Sequence, residues 1–98
     1  MKAYIIKPES QTIETIDVSN KDDIVRLIGF DTIIADGIGE GDNLYFDEEC
    51  FLRGSSGRFQ IDTLVPVSGI GVIAGSSDEK LADVEISIDA LRSRIKFL

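Results

Sequence analysis

Apolar and polar residues alternate along this chain with two different periods, and the changes of period mark out its elements. Residues 2–7, KAYIIK, are β-branched and aromatic and predict a strand. Pro8 stops it, and PESQ (8–11) forms a turn. TIETIDV (12–18) predicts a second strand with Ile16 and Val18 on one face, so the chain opens on a hairpin. In SNKDDIVRLIG the period lengthens. Ile24, Leu27 and Ile28 fall at i, i+3 and i+4, on one side of a helix. Ser19 or Asn20 can cap its first turn, and Asp22 and Asp23 lie where the helix dipole favours anions. Gly29 suits the left-handed position just past the end, which predicts a short helix over about 20–29.

The period then returns to two. FDTIIADGIG (30–39) predicts a strand running into a glycine-spaced turn. NLYF (43–46) puts Leu44 and Phe46 on one face and Tyr45 on the other. CFLR (50–53) is expected to pair back with it across an acidic turn, Asp47–Glu49. GSSG (54–57) is a polar turn. RFQIDTLVPVSGIGVIAG (58–75) holds two strand-like runs separated by Pro66 and Gly69. Pro66 cannot donate to a sheet ladder and marks an edge, a bulge or a break. SSDEK (76–80) is a loop, and the alternation of Val84, Ile86 and Ile88 predicts a short strand or extended arm. Ser87 then caps a final helix over about 88–98, with Leu91, Ile95 and Leu98 on one stripe and Arg92, Arg94 and Lys96 toward its end. Strands mixed with two short helices, without regular βαβ alternation, predict an α+β fold on a mainly antiparallel sheet. Ninety-eight residues make one domain, 1–98, and show no internal repeat.

Composition adds boundaries to this picture. Hydrophobic residues at 43% suffice for a core, although a domain this small is marginal by size and association into a homodimer would help it. One cysteine, Cys50, cannot form an internal disulfide. No apolar run reaches the ~18 residues of a membrane span, and the start of the chain reads as strand instead of leader, so a cytoplasmic protein is expected. Charge is one-sided. Residues 1–50 carry four basic residues against twelve acidic ones, whereas 51–98 carry six of each. No Lys or Arg occurs in 27–52, while Asp31, Asp36, Glu40, Asp42, Asp47, Glu48 and Glu49 all do. Direct nucleic-acid binding is disfavoured, because neutralising phosphates needs a basic face.

Candidate chemistry is narrowed mostly by exclusion. Without histidine, no Ser-His-Asp or Cys-His arrangement can exist in the chain, and the usual transition-metal sites lose their nitrogen ligands. Carboxylate pairs remain open to a hydrolase, but nothing marks which acids would pair. GIGVIAG (69–75) has a spacing close to a dinucleotide-binding turn, yet it contains strand residues and opens no helix; a bulge or close backbone approach is the plainer expectation. A calcium loop begun at Asp36 puts Ile38 where an oxygen is required. Tyr45, Phe46, Phe51 and Phe59 could stack on bases, but the basic-free surroundings favour core packing for Phe46, Phe51 and Phe59. No cofactor and no metal are expected.

The strings GDNLYFDEECFL, PVSGIGVIAG and ISIDALRSRIKF together resemble a family of small domains of unknown function found mostly in phage, plasmid and other mobile-element proteins. Its members look like an N-terminal hhIKP strand, a short helix, an acidic hairpin with D-[DE]-E-G-h-h, a P-h-x-G-x-h-h-h-G segment and a closing I-[ST]-h-[DE]-x-h helix. The resemblance implies a setting and supplies no activity or site. At one point the chain departs from the family: Cys50 stands where glycine follows the acids. A hairpin exit there would need a left-handed residue, and cysteine would be strained.

These observations lead to one expected function and two alternatives. The first is a non-enzymatic protein that binds a basic protein partner through an acidic face, residues 31–49, with Asp31, Asp36, Glu40, Asp42, Asp47, Glu48 and Glu49 as contacts; a mimic of nucleic acid that inhibits its partner is the sharper form. The second is a small-ligand binder that holds or sequesters a nucleotide-type anion on glycine-rich turns. The third is a carboxylate hydrolase. Acidity that serves only solubility would account for the same charge.

Overall fold

The computed structural model describes residues 1–78 and 80–98. In chain order its elements are β1 (Lys2–Lys7), β2 (Thr12–Asp17), α1 (Lys21–Ile28), β3 (Ile33–Gly39), β4 (Asp42–Asp47), a 3-10 turn (Cys50–Leu52), β5 (Arg58–Ile61), β6 (Val67–Ser68), β7 (Gly71–Ser77), β8 (Lys80–Ala82), α2 (Ile88–Arg94) and β9 (Ile95–Phe97). All described strand pairings are antiparallel. One sheet has the order β2-β1-β7-β4-β3, with β8 pairing the far half of β7; a smaller one has the order β6-β5-β9. This is the expected α+β architecture.

The two-residue period explains how three layers form. On β1, β4 and β7, Tyr4, Ile6, Leu44, Phe46 and Ile73 face the small sheet, where Phe59, Ile61 and Val67 meet them together with Leu91 of α2. Their neighbours Ala3, Ile5, Tyr45, Val72 and Ala74 face the other way, against Ile24 and Ile28 of α1. The central strands are thus buried on both sides, and read in sequence as nearly continuous apolar runs. The Asn20 side chain caps α1 by accepting from the Asp23 amide at 3.1 Å, and Asp23 returns the favour to the Ser19 amide at 2.7 Å. Gly29, at φ 91°, ends the helix.

Several local expectations change. CFLR does not pair with NLYF. β4 turns back on β3 instead, through Gly39, Glu40 and Gly41, all with positive φ. Residues 50–52 make a 3-10 turn that starts at Cys50, outside the left-handed region, so the expected cysteine strain is absent. Phe51 is exposed, not core, with the Arg58 guanidinium 5.4 Å from its ring centre. The final helix stops at Arg94, because Ile95 and Phe97 pair with Ile61 and Phe59 of β5. Intrinsic helix preference is worth a few tenths of a kcal/mol per residue, whereas burying an Ile or Phe side chain is worth about 1.5–3 kcal/mol, so packing decides. Of the expected stripe, Leu91 is fully buried, Ile95 is half-buried and Leu98 is exposed. The expected loop 76–80 is mostly hairpin, with Ser77 opposite Lys80; Glu79 lies outside the described residues.

The glycines of GIGVIAG serve packing. A Cβ on Gly71 would lie 2.5 Å from the Phe59 ring, and one on Gly75 would collide with the Asp83 carbonyl oxygen. Pro66 precedes β6, an edge strand, as its missing N–H requires. No described helix is long and apolar enough to cross a membrane. Gly75→Ala is expected to lose about 2 kcal/mol or more in urea denaturation, because backbone must move. Gly37→Ala, whose Cβ would meet nothing closer than 3.9 Å, is expected to be neutral or slightly stabilising; equal losses in both would count against the packing role of Gly75.

Candidate functional site

Among the described residues, both strongly buried carboxylates belong to β4, one at each end. Asp42 and Asp47 are 2% and 3% exposed. Asp42 accepts the backbone N–H groups of Glu85 and Ile86, both at 2.9 Å, one on each oxygen. It therefore pins the extended arm that leads into α2, and Tyr4 adds a hydroxyl bond to the Ile86 carbonyl at 2.7 Å. Asp47 accepts the Thr32 hydroxyl, the Glu49 amide at 3.0 Å and Arg53 Nε at 2.9 Å. The Arg53 guanidinium also reaches Thr32 at 3.2 Å and Glu49 at 3.3 Å, and lies 4.1 Å over the Phe30 ring. Burial alone would push the Asp47 carboxyl up; the hydrogen bonds from Arg53, Thr32 and the Glu49 amide, with the Arg53 charge, outweigh it and hold it below the usual carboxylate range.

This corrects the expected contact face. Asp42 and Asp47 are withdrawn from the surface, the first holding two backbone N–H groups and the second a guanidinium, a hydroxyl and a backbone N–H. Glu49 is exposed but paired with Arg53. Asp31, Glu40 and Glu48 are exposed, Asp36 is half-buried, and none of the four makes an ion pair among the described residues. Asp31, Asp36 and Glu40 follow β3, the outermost strand of the large sheet, and Glu48 is tied beside Asp31 by its amide bond to the Thr32 carbonyl at 2.7 Å. The basic-free run from 27 to 52 is interrupted in space, since Arg53 folds back into it.

A hydrolase built on the two buried acids does not fit. Five residue steps along β4 separate them by about 17 Å, whereas paired glycosidase carboxylates stand ~5–9.5 Å apart. Among the described residues, no group of three or more His, Cys, Asp or Glu side chains is placed to hold a metal. The glycine cluster 69–75 opens no helix, so it offers no dinucleotide cradle.

Two concavities share the Ser55–Gly57 loop, a cleft of about 460 Å³ where β1 ends and β7 begins, and a more open one of about 510 Å³ bordered by Phe51, Arg58, Pro66 and Leu98; the first brings apolar and donor groups together. Pro8, Ile28, Phe30 and Ile70 supply its apolar walls; Lys7, Arg53, the Ser55–Gly57 loop and Ser68 supply polar groups. Cys50 lines it too, buried, with Sγ 3.5 Å from the Ser68 amide. Sequence reasoning picked out GSSG only as a turn and passed over Lys7 and Arg53; their convergence depends on contacts between distant segments. No protein-family model, curated protein or solved structure matches the chain.

Asp42→Asn would present an amide N–H₂ to one of the two backbone donors. It is expected to lose roughly 1–3 kcal/mol in denaturant titration, while exposed Glu48→Gln stays within about 0.5 kcal/mol of the parent. A second expectation concerns acid. A carboxyl with a lowered folded pKa stabilises the fold above its unfolded pKa and loses that contribution as pH falls through the folded value. Asp62, held down by the Arg94 hydrogen bond, has the same sign. Denaturation midpoints should therefore drop below about pH 4, and Asp47→Asn should flatten that drop; an unchanged acid slope in the variant would contradict the role given to Asp47.

Proposed function

We propose that this chain is a non-enzymatic cytoplasmic binding protein of a phage or other mobile element, which holds a basic protein partner along its open acidic edge. The observation that carries the proposal is the state of β3. Its outer side has no strand neighbour among the described residues, and the acids along it, Asp31, Asp36 and Glu40, make no ion pair there. An open edge offers main-chain donors and acceptors to an added strand, and charges beside it choose the strand. Two copies meeting edge to edge would oppose like charges, which disfavours self-pairing. A partner segment with Lys or Arg at alternate positions would meet those acids instead.

The contact zone is narrower than residues 31–49. Arg94 donates to the Ile38 carbonyl at 2.9 Å and covers the glycine end of β3. What remains is Asp31 to Asp36 with Glu48 beside it, and Glu40 at the margin. Mimicry of nucleic acid, with these carboxylates in place of phosphates and a basic groove as the target, is the inhibitory form of the same proposal.

An extended peptide alternating Lys with Val serves as probe. Titrating it should shift the backbone amides of residues 33–37, weakly enough that raised salt removes the effect. Reversing Asp31, Asp36, Glu40 and Glu48 to Lys should abolish the shifts while leaving the urea midpoint within about 1 kcal/mol. Undiminished binding by the reversed variant would sink the proposal.

A further inference from the structure

We infer that the cleft at the end of the large sheet is a binding site for a small organic phosphate, one with a single phosphoryl group on an apolar or planar body. This is independent of the β3 edge and uses other residues. The cleft volume, about 460 Å³, lies within the range of small-molecule sites. Its lining combines two chemistries. Ile28, Phe30, Ile70 and Pro8 are the apolar groups that would receive the body. Lys7, the loop 55–57 and Arg53, which stacks on Phe30, are the donors.

The donors are available. Among the described residues, the backbone N–H groups of Ser55, Ser56 and Gly57 donate to no other protein group. Arg53 commits Nε and Nη2 to Asp47, Thr32 and Glu49, while Nη1 has no protein partner there. Lys7 has only a 3.5 Å contact with Glu14, and both side chains are largely in water. The Ser55 and Ser56 hydroxyls are exposed beside them.

The loop is also held in place. A Cβ on Gly57 would lie 2.7 Å from the Glu9 amide nitrogen and 2.8 Å from the Pro8 carbonyl carbon, so only glycine lets the loop seat on the β1–β2 turn. Gly69 ties its other side, donating to the Gly57 carbonyl at 3.1 Å. A row of fixed amides next to two cations suits an anion with several acceptor oxygens, which a phosphoryl group has. Glu9 and Asp47 also line the cleft and the chain carries −8, so repulsion rises with each added phosphate and favours one.

Phenyl phosphate is a suitable probe, with inorganic phosphate and phenol separating head from body. Followed by amide chemical shifts, phenyl phosphate is expected to perturb Ser55, Ser56 and Gly57 saturably and to bind more tightly than inorganic phosphate. Phenol should leave those amides in place. Lys7→Ala should weaken phenyl phosphate about tenfold, and Ser56→Asp, which sets a carboxylate among the donors, should abolish it with the fold retained. Absence of saturable shifts, equal shifts with phenol, or unchanged affinity in both variants would overturn the site. Repeating the titration with a nucleoside monophosphate and with a sugar phosphate decides which body the apolar wall accepts.

Discussion

Burial of β1, β4 and β7 on both faces is the constraint from which the rest of the fold follows. A strand with apolar residues on one face needs one cover; these strands need two. The α1 helix supplies one, through Ile24 and Ile28, and the small sheet with α2 supplies the other, through Phe59, Ile61, Val67 and Leu91. That demand recruits β5, β6, α2 and β9 to the far side of the sheet. It also explains why the last residues become a strand. Ile95 and Phe97 contribute more by pairing with β5 and closing the core than by extending a helix into water.

A sheet covered on both sides still has ends, and at the ends backbone polar groups must be satisfied. β4 meets this with a carboxylate at each terminus. Asp42 gathers two amides of the arm before α2, and Asp47 gathers the turn that follows the strand together with Arg53. Acids that look like part of a charged surface in sequence are thus internal fasteners. Their removal from the surface leaves a smaller exposed acidic row along β3, and the return of Arg53 places a cation inside the region that lacks one in sequence. The arginine then serves two neighbours, holding Asp47 on one side and lining the cleft on the other.

The edge and the cleft are built from different residues. The edge offers unpaired carboxylates and main-chain groups along a strand, which suits an extended basic segment. The cleft offers donors around an apolar wall, which suits a small anion. The two adjoin where Phe30 precedes Asp31 and where Arg53, which lines the cleft, donates to Thr32 at 3.2 Å.

Local pattern was enough for the hairpin of β1 and β2, for α1 with a cap at Ser19 or Asn20 and its Gly29 stop, and for the antiparallel α+β class. Each of these depends on neighbours close in sequence or on a pattern repeated along one element. Absence of histidine likewise settled, without coordinates, which triads the chain cannot build. What needed the tertiary structure was every choice made between distant segments. β4 pairs with β3 and β7 rather than with 50–53, because the 3-10 turn is stabilised by Asp47 and Arg53, six residues apart. Asp42 is buried because amides 43 and 44 residues away have no other acceptor. The cleft exists because loops at 8–10, 54–57 and 68–70 meet. Local pattern records which face a residue presents; it does not record what will be there to meet it.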